Sequence, residues 1–223
     1  MSKRHQSAWR ELQQEHDRLA NLLPHLKYNS EKSSDLLAAM YAVQALQTSG
    51  GMLEVSKSKF QSTALALARQ LLEAVGRLEY LAFGPSDAYL RLELRDTEQT
   101  LKALSRLNNR EDHPDIKGKI EECQARIKNR TECGVKGGLS FAEMLEAIGG
   151  EPMYSLFQMQ SSTSHSEIFG LSHQFLVAGK TPMTVHIPSK LPEHFISTVN
   201  QQSAGLLRMV MPALARLGLK SDG

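Results

Sequence analysis

Arg69 and Glu73 stand four residues apart inside a segment, Ser62 to Gly76, that is otherwise made largely of small and apolar residues. In a helix that spacing puts both side chains on one face. A helix that is apolar on nearly every side is usually buried, and a buried charge is costly unless it is paired and hydrogen-bonded. The pair therefore either ties a core together or lines a site. Tyr80 falls on the same face and Arg77 at its edge. A second candidate lies downstream, where Tyr154 precedes a hydroxyl-rich run, Ser161-Ser162-Thr163-Ser164-His165-Ser166. Tyr154 and His165 are too far apart to share one short helical face, so the chain must fold back to join them. A Glu–His pair brought together by folding does general acid/base work, and an Arg beside it clamps a phosphate or carboxylate. On this basis His165 and Glu73 are the candidate catalytic residues. Arg69, Arg77, Tyr80, Tyr154, Ser161 and Ser162 are the candidate ligand contacts. The competing account is a satisfied interior network, with Arg69 paired to Glu73 and His165 bonded to a carbonyl.

Two further spacings carry less. Arg106 and His113 stand at a distance used by some helical ribonucleases, but Asn108, Asn109 and Pro114 break the helix around them. Arg126, Lys128, Arg130 and Lys136 form a modest basic cluster beside a glycine-rich stretch, which reads as a solvated helix end. Glu73 and His165 alone are too few to hold a metal, so no metal site is expected. No phosphate-binding glycine loop, zinc-protease signature, nucleophile elbow or dinucleotide fingerprint occurs, and no cofactor is expected. Cys123 and Cys133 form no CxxC and read as free thiols.

The elements that must position these residues are helices. Trp9, Leu12, His16, Leu19, Leu23 and Leu26 repeat at alternating threes and fours, the seam of a helix packed on another. A second helix is expected over about 31–48, stopped by Gly50-Gly51, and a third, central one over about 57–83. A fourth follows Gly84-Pro85, and a fifth, with one narrow apolar stripe, opens near Asp112. Ser140-Phe141-Ala142-Glu143 is a capping box that starts a short helix, and another begins near Pro152. The last helix opens at Pro192. Between them, residues 174–188 predict a small hairpin or irregular excursion. The fold class is all-α, a multi-helix bundle around the central apolar helix. We read 1–223 as one helical domain, in which 1–50 form an N-terminal helical pair, a candidate appendage, and 57–217 the core bundle.

Composition agrees. An apolar share of 41% over 223 residues suffices for a sizeable core. The formal net charge of +2, from 26 basic and 24 acidic side chains, argues against a general electrostatic grip on nucleic acid or anionic lipid and leaves room for a local patch. No run of about 18 apolar residues occurs, so no membrane span is expected. The first residues are polar, without the apolar stretch of a signal peptide, and the expected compartment is the cytoplasm.

At Arg69-x3-Glu73, together with Tyr154 and Ser161-x3-His165, the chain resembles a bacterial all-helical family of unknown function. The resemblance covers about 57–217. It implies a bundle in which Arg69, Glu73, Tyr154, Ser161 or Ser162, and His165 gather in one place. Such bundles are distantly similar to the HEPN superfamily, many of whose members cut RNA in toxin–antitoxin and phage-defence systems with an Arg-x4-6-His at a dimer interface. Here the position five before His165 is Gln160, so Arg69 would have to serve as the phosphate clamp. Two functions follow as expectations. The first is a binding or regulatory module, a homo-oligomer through the first helix or a bundle face. The alternative is a HEPN-like enzyme acting on RNA or a nucleotide.

Overall fold

A computed structural model describes residues 3–29, 31–57, 62–108, 114–137, 139–164 and 193–221. In chain order the elements are α1 (Lys3–Leu22), a 3-10 turn (Leu23–His25), β1 (Leu26–Lys27), α2 (Ser33–Lys57), α3 (Ser62–Phe83) and α4 (Ala88–Asn108). Then come α5 (Pro114–Glu132), α6 (Phe141–Glu146), α7 (Glu151–Ser164), α8 (Glu193–Arg216) and β2 (Lys220–Ser221). The fold is an all-α multi-helix bundle. Its only sheet pairing among the described residues is a two-residue antiparallel bridge, Leu26 with Ser221 and Lys27 with Lys220. The hairpin or excursion expected at 174–188 lies outside the described residues.

Helix α3 is the centre, packed against α2, α8, α7 and α6. Leu71, Val75 and Leu78 along one side of it are fully buried, and so are Ala68 and Leu72 on an adjoining side. This two-sided burial is what a helix apolar over most of its surface requires. Helix α1 lies along α8 and touches α2. Its seam is consumed inside the chain: Leu12 and Leu19 are buried, and Trp9 Nε1 donates to the Leu53 carbonyl at 3.3 Å. Arg208 of α8 closes this contact from outside, with Nε 2.8 Å from Glu15.

The stop expected at Gly50-Gly51 is corrected by the structure, in which α2 runs through both glycines to Lys57. A Cβ on Gly50 would stand 3.2 Å from His16 Cε1, and one on Gly51 3.3 Å from Leu67 Cδ1. The glycines let α1 and α3 approach α2 closely. Tertiary packing here outweighs a helix-propensity cost of about 1 kcal/mol per glycine.

Helix α5 packs on α4, where Arg130 reaches Glu93 at 2.7 Å. Two more of its cations are paired along its own surface, Arg126 to Glu122 at 2.7 Å and Lys128 to Glu132 at 3.9 Å. The basic cluster is thus a solvated helix face. The capping box at α6 is formed: Ser140 N donates to Glu143 at 2.6 Å, and Glu143 N to Ser140 Oγ at 3.2 Å. This fixes Phe141 against α3, where a Cβ on Gly76 would meet the Phe141 ring at 2.7 Å. Among the described residues no helix is long and apolar enough to cross a membrane.

Candidate functional site: a polar cluster between α2, α3, α4 and α6

Arg69 and Glu73 meet on the outer face of α3, Nε to Oε1 at 3.2 Å. Their side chains are 21% and 33% exposed, so the pair is half-buried and screened by water. One turn further, Arg77 has no acidic partner of its own on α3, because Glu73 is engaged by Arg69. It turns across to α4, where its Nη1 stands 3.7 Å from Asp96 Oδ1. Its guanidinium carbon lies 5.8 Å from the centre of the Tyr41 ring on α2.

Arg95, beside Asp96, completes the cluster. Its Nη1 contacts Met144 Sδ at 3.6 Å, and it forms no ion pair with any described residue. Burial lowers the Arg95 guanidinium pKa from its usual value; the neighbouring charge of Arg77 lowers it further, while Asp96 and Glu73 oppose. Burial pushes the Tyr41 hydroxyl up, Asp96 adds to this, and Arg77 works against it. Tyr41 is therefore a protonated donor at neutral pH. Two polar atoms of the cluster are buried without a hydrogen-bond partner: Arg77 Nε and the Tyr41 hydroxyl.

Tyr41 and Asp96 also line a cleft of about 510 Å³ whose other walls include Leu23, Leu26, Leu37 and Met40. A neighbouring cleft of about 560 Å³, between α2, α4 and α5, shares Leu36, Leu37, Met40 and Asp96 with it. Among the described residues no group of three or more His, Cys, Asp or Glu side chains is placed to hold a metal ion.

Of the residues expected from sequence, Arg69, Glu73 and Arg77 come together here. Tyr80 is fully buried, and its charged neighbours are Arg91 and Asp87 instead of the members of this cluster. Tyr154 is half-buried on α7, packed against the core. Ser161 and Ser162 belong to the last turns of α7, with side chains outside the description, and His165 lies outside the described residues. Sequence reasoning missed Tyr41, Arg95 and Asp96. The available signal was Arg77 itself, a guanidinium on an apolar helix with its nearest carboxylate already engaged, which demands a partner from another element.

Residues 35–180 match the sequence family DUF5677, a family of unknown function. The chain belongs to this family. No curated protein and no solved structure matches it. The DUF5677 stretch runs from the first turn of α2 through α7 and so contains the whole cluster, from Tyr41 to Met144.

One more carboxylate on α3 stands apart. Glu79 is only 9% exposed and has no ion pair or hydrogen bond among the described residues. Burial pushes it up to about 7.

Proposed function

We propose that this chain is a non-catalytic binding module whose cluster takes an oxyanion, a carboxylate or phosphate group, between Arg77, Arg95 and the Tyr41 hydroxyl. One observation carries the reading: among the described residues Arg77 Nε and the Tyr41 hydroxyl are buried without a hydrogen-bond partner, and Arg95 beside them forms no ion pair. A buried donor left unmade costs about 1–3 kcal/mol. An oxyanion would accept from both donors and lower the mutual repulsion of the two guanidiniums, through bonds roughly twice as strong as neutral ones.

The test is calorimetric titration and thermal melting with acetate and with inorganic phosphate, using chloride at matched ionic strength as the control. The expected result is stabilisation by at least one oxyanion, weakened in Tyr41→Phe and abolished in the double variant Arg77→Met, Arg95→Met. Wild type that responds to neither anion beyond chloride refutes the reading.

The enzymatic alternative would be a HEPN-like enzyme with Arg69 as the clamp on an RNA or nucleotide phosphate and His165 as acid or base. Equal RNA turnover by wild type and His165→Ala would remove it. A homo-oligomer, expected from the sequence, would have to form without the α1 seam; sedimentation over a range of concentrations tests it.

A further inference from the structure

Helix α2 carries a second seam that no element covers among the described residues. Leu36, Met40, Val43 and Gln47 repeat at fours and threes, the spacing of one helix packed on another. The first three are 40%, 58% and 44% exposed. Every exposed position from Ser33 to Gln47 is uncharged, the other two being Ser33 and Gln44. A helix without charge on its outer face as well as its inner one is a helix with partners on both sides. Depletion of charge is also what sets the core of an interface apart from ordinary surface.

Shape and charge select a copy of the same surface as the occupant. Leu36 and Met40 are walls of both clefts, of about 560 and 510 Å³, and so form the ridge between them. A ridge beside a groove fits its own copy turned about a two-fold axis, each ridge entering the other's groove. The stripe carries no charge that would meet its like across that axis. The rim holds both signs, Lys119 and Arg126 with Glu93 and Glu122, and so suits its own copy better than a uniformly acidic or basic partner. The extent is also adequate. Ser33 to Gln47 covers about 21 Å of helix. Flanked by the Leu23–Tyr28 segment and by α4, at about 9 Å between neighbours, the face measures about 600 Å² in projection. A standard interface takes about 800 Å² of accessible surface from each partner, and a ridged face has more accessible surface than its projection. Independently of the oxyanion reading, we propose that the chain forms an isologous dimer through this face of α2, with the two-fold axis passing near Met40 and Val43. The second copy then roofs both clefts, including the one that Tyr41 and Asp96 line.

The experiment is sedimentation velocity of the full chain over about 1 to 100 μM. The expected result is a dimer whose dissociation constant Met40→Glu raises at least about a hundredfold, because two like charges then meet in a desolvated core. Met40→Lys should do the same. An equimolar mixture of the two variants should regain the dimer, which also shows that both are folded. Phe83→Glu, at an apolar site 49% exposed at the end of α3 and a wall of neither cleft, should sediment as wild type does. Wild type that stays monomeric throughout gives the face to a partner of another sequence and overturns the proposal. A dimer that both Met40 variants leave intact, or that Phe83→Glu dissolves as well, places the contact elsewhere and overturns it. A mixture that does not recover removes the two-fold axis near Met40 and overturns it too.

Discussion

Glu79→Gln should make this protein more stable at pH 8 and have only about a quarter of that effect at pH 5. In the folded chain burial pushes the Glu79 carboxyl from 4.5 up to about 7. Between those values the folded state holds a proton that the unfolded chain has released. Stability from this group is therefore complete below pH 4.5, declines as pH rises, and is lost above about 7. At about 1.4 kcal/mol per pH unit, the shift from 4.5 to about 7 amounts to about 3 kcal/mol at order of magnitude. The glutamine has no proton to lose and no charge to bury, so it should recover that amount at pH 8. For a chain of this size the gain corresponds to roughly 6–12 °C in melting temperature. Urea unfolding of both proteins at half-unit steps from pH 5 to 8 measures it. Other groups titrate in the same window, and the difference between the two proteins isolates Glu79. Parallel curves across the range would refute the reasoning, because they would mean that the carboxylate is solvated in the folded state.

Three further outcomes are expected. Glu73→Gln should cost no more than about 0.5 kcal/mol in denaturant unfolding, since an i,i+4 pair on a half-exposed face is weak; a loss of 3 kcal/mol or more would restore the interior-network account. Gly76→Ala should destabilise by about 1–3 kcal/mol despite the better helix former, because the new Cβ meets Phe141 at 2.7 Å. Combining Gly76→Ala with Phe141→Leu should cost less than the sum of the two single changes in the same assay, which checks that the ring is the obstacle.

What could be read from the sequence was what depends on near neighbours. The helix over 3–22, the capping box at Ser140 and Glu143, and the shared face of Arg69 and Glu73 all follow from spacings of three or four residues. Gly50-Gly51 illustrates the limit. A glycine that ends a helix and a glycine that admits a neighbouring helix look alike in one dimension, and only His16 and Leu67 tell them apart. The candidate site divides in the same way. Its local half, Arg69 and Glu73, was legible, whereas Tyr41, Arg95 and Asp96 join it only through the register of α2 and α4 against α3. That register is set by buried apolar residues between the helices, Ala38, Ala42 and Ala45 of α2 and Leu92 of α4 among them. The degree of burial was also hidden, because no neighbouring helix fully covers the Arg69–Glu73 face.

The family match leaves out two helices of this bundle. Residues 35–180 exclude α1 and α8, yet Leu206, Leu207, Val210 and Leu214 of α8 close the core beside α2 and α3. What is recognisable by descent and what is self-sufficient in water thus have different borders here. Cut out alone, the stretch would present to solvent the greasy seams that α1 and α8 now hide, and would be expected to clump.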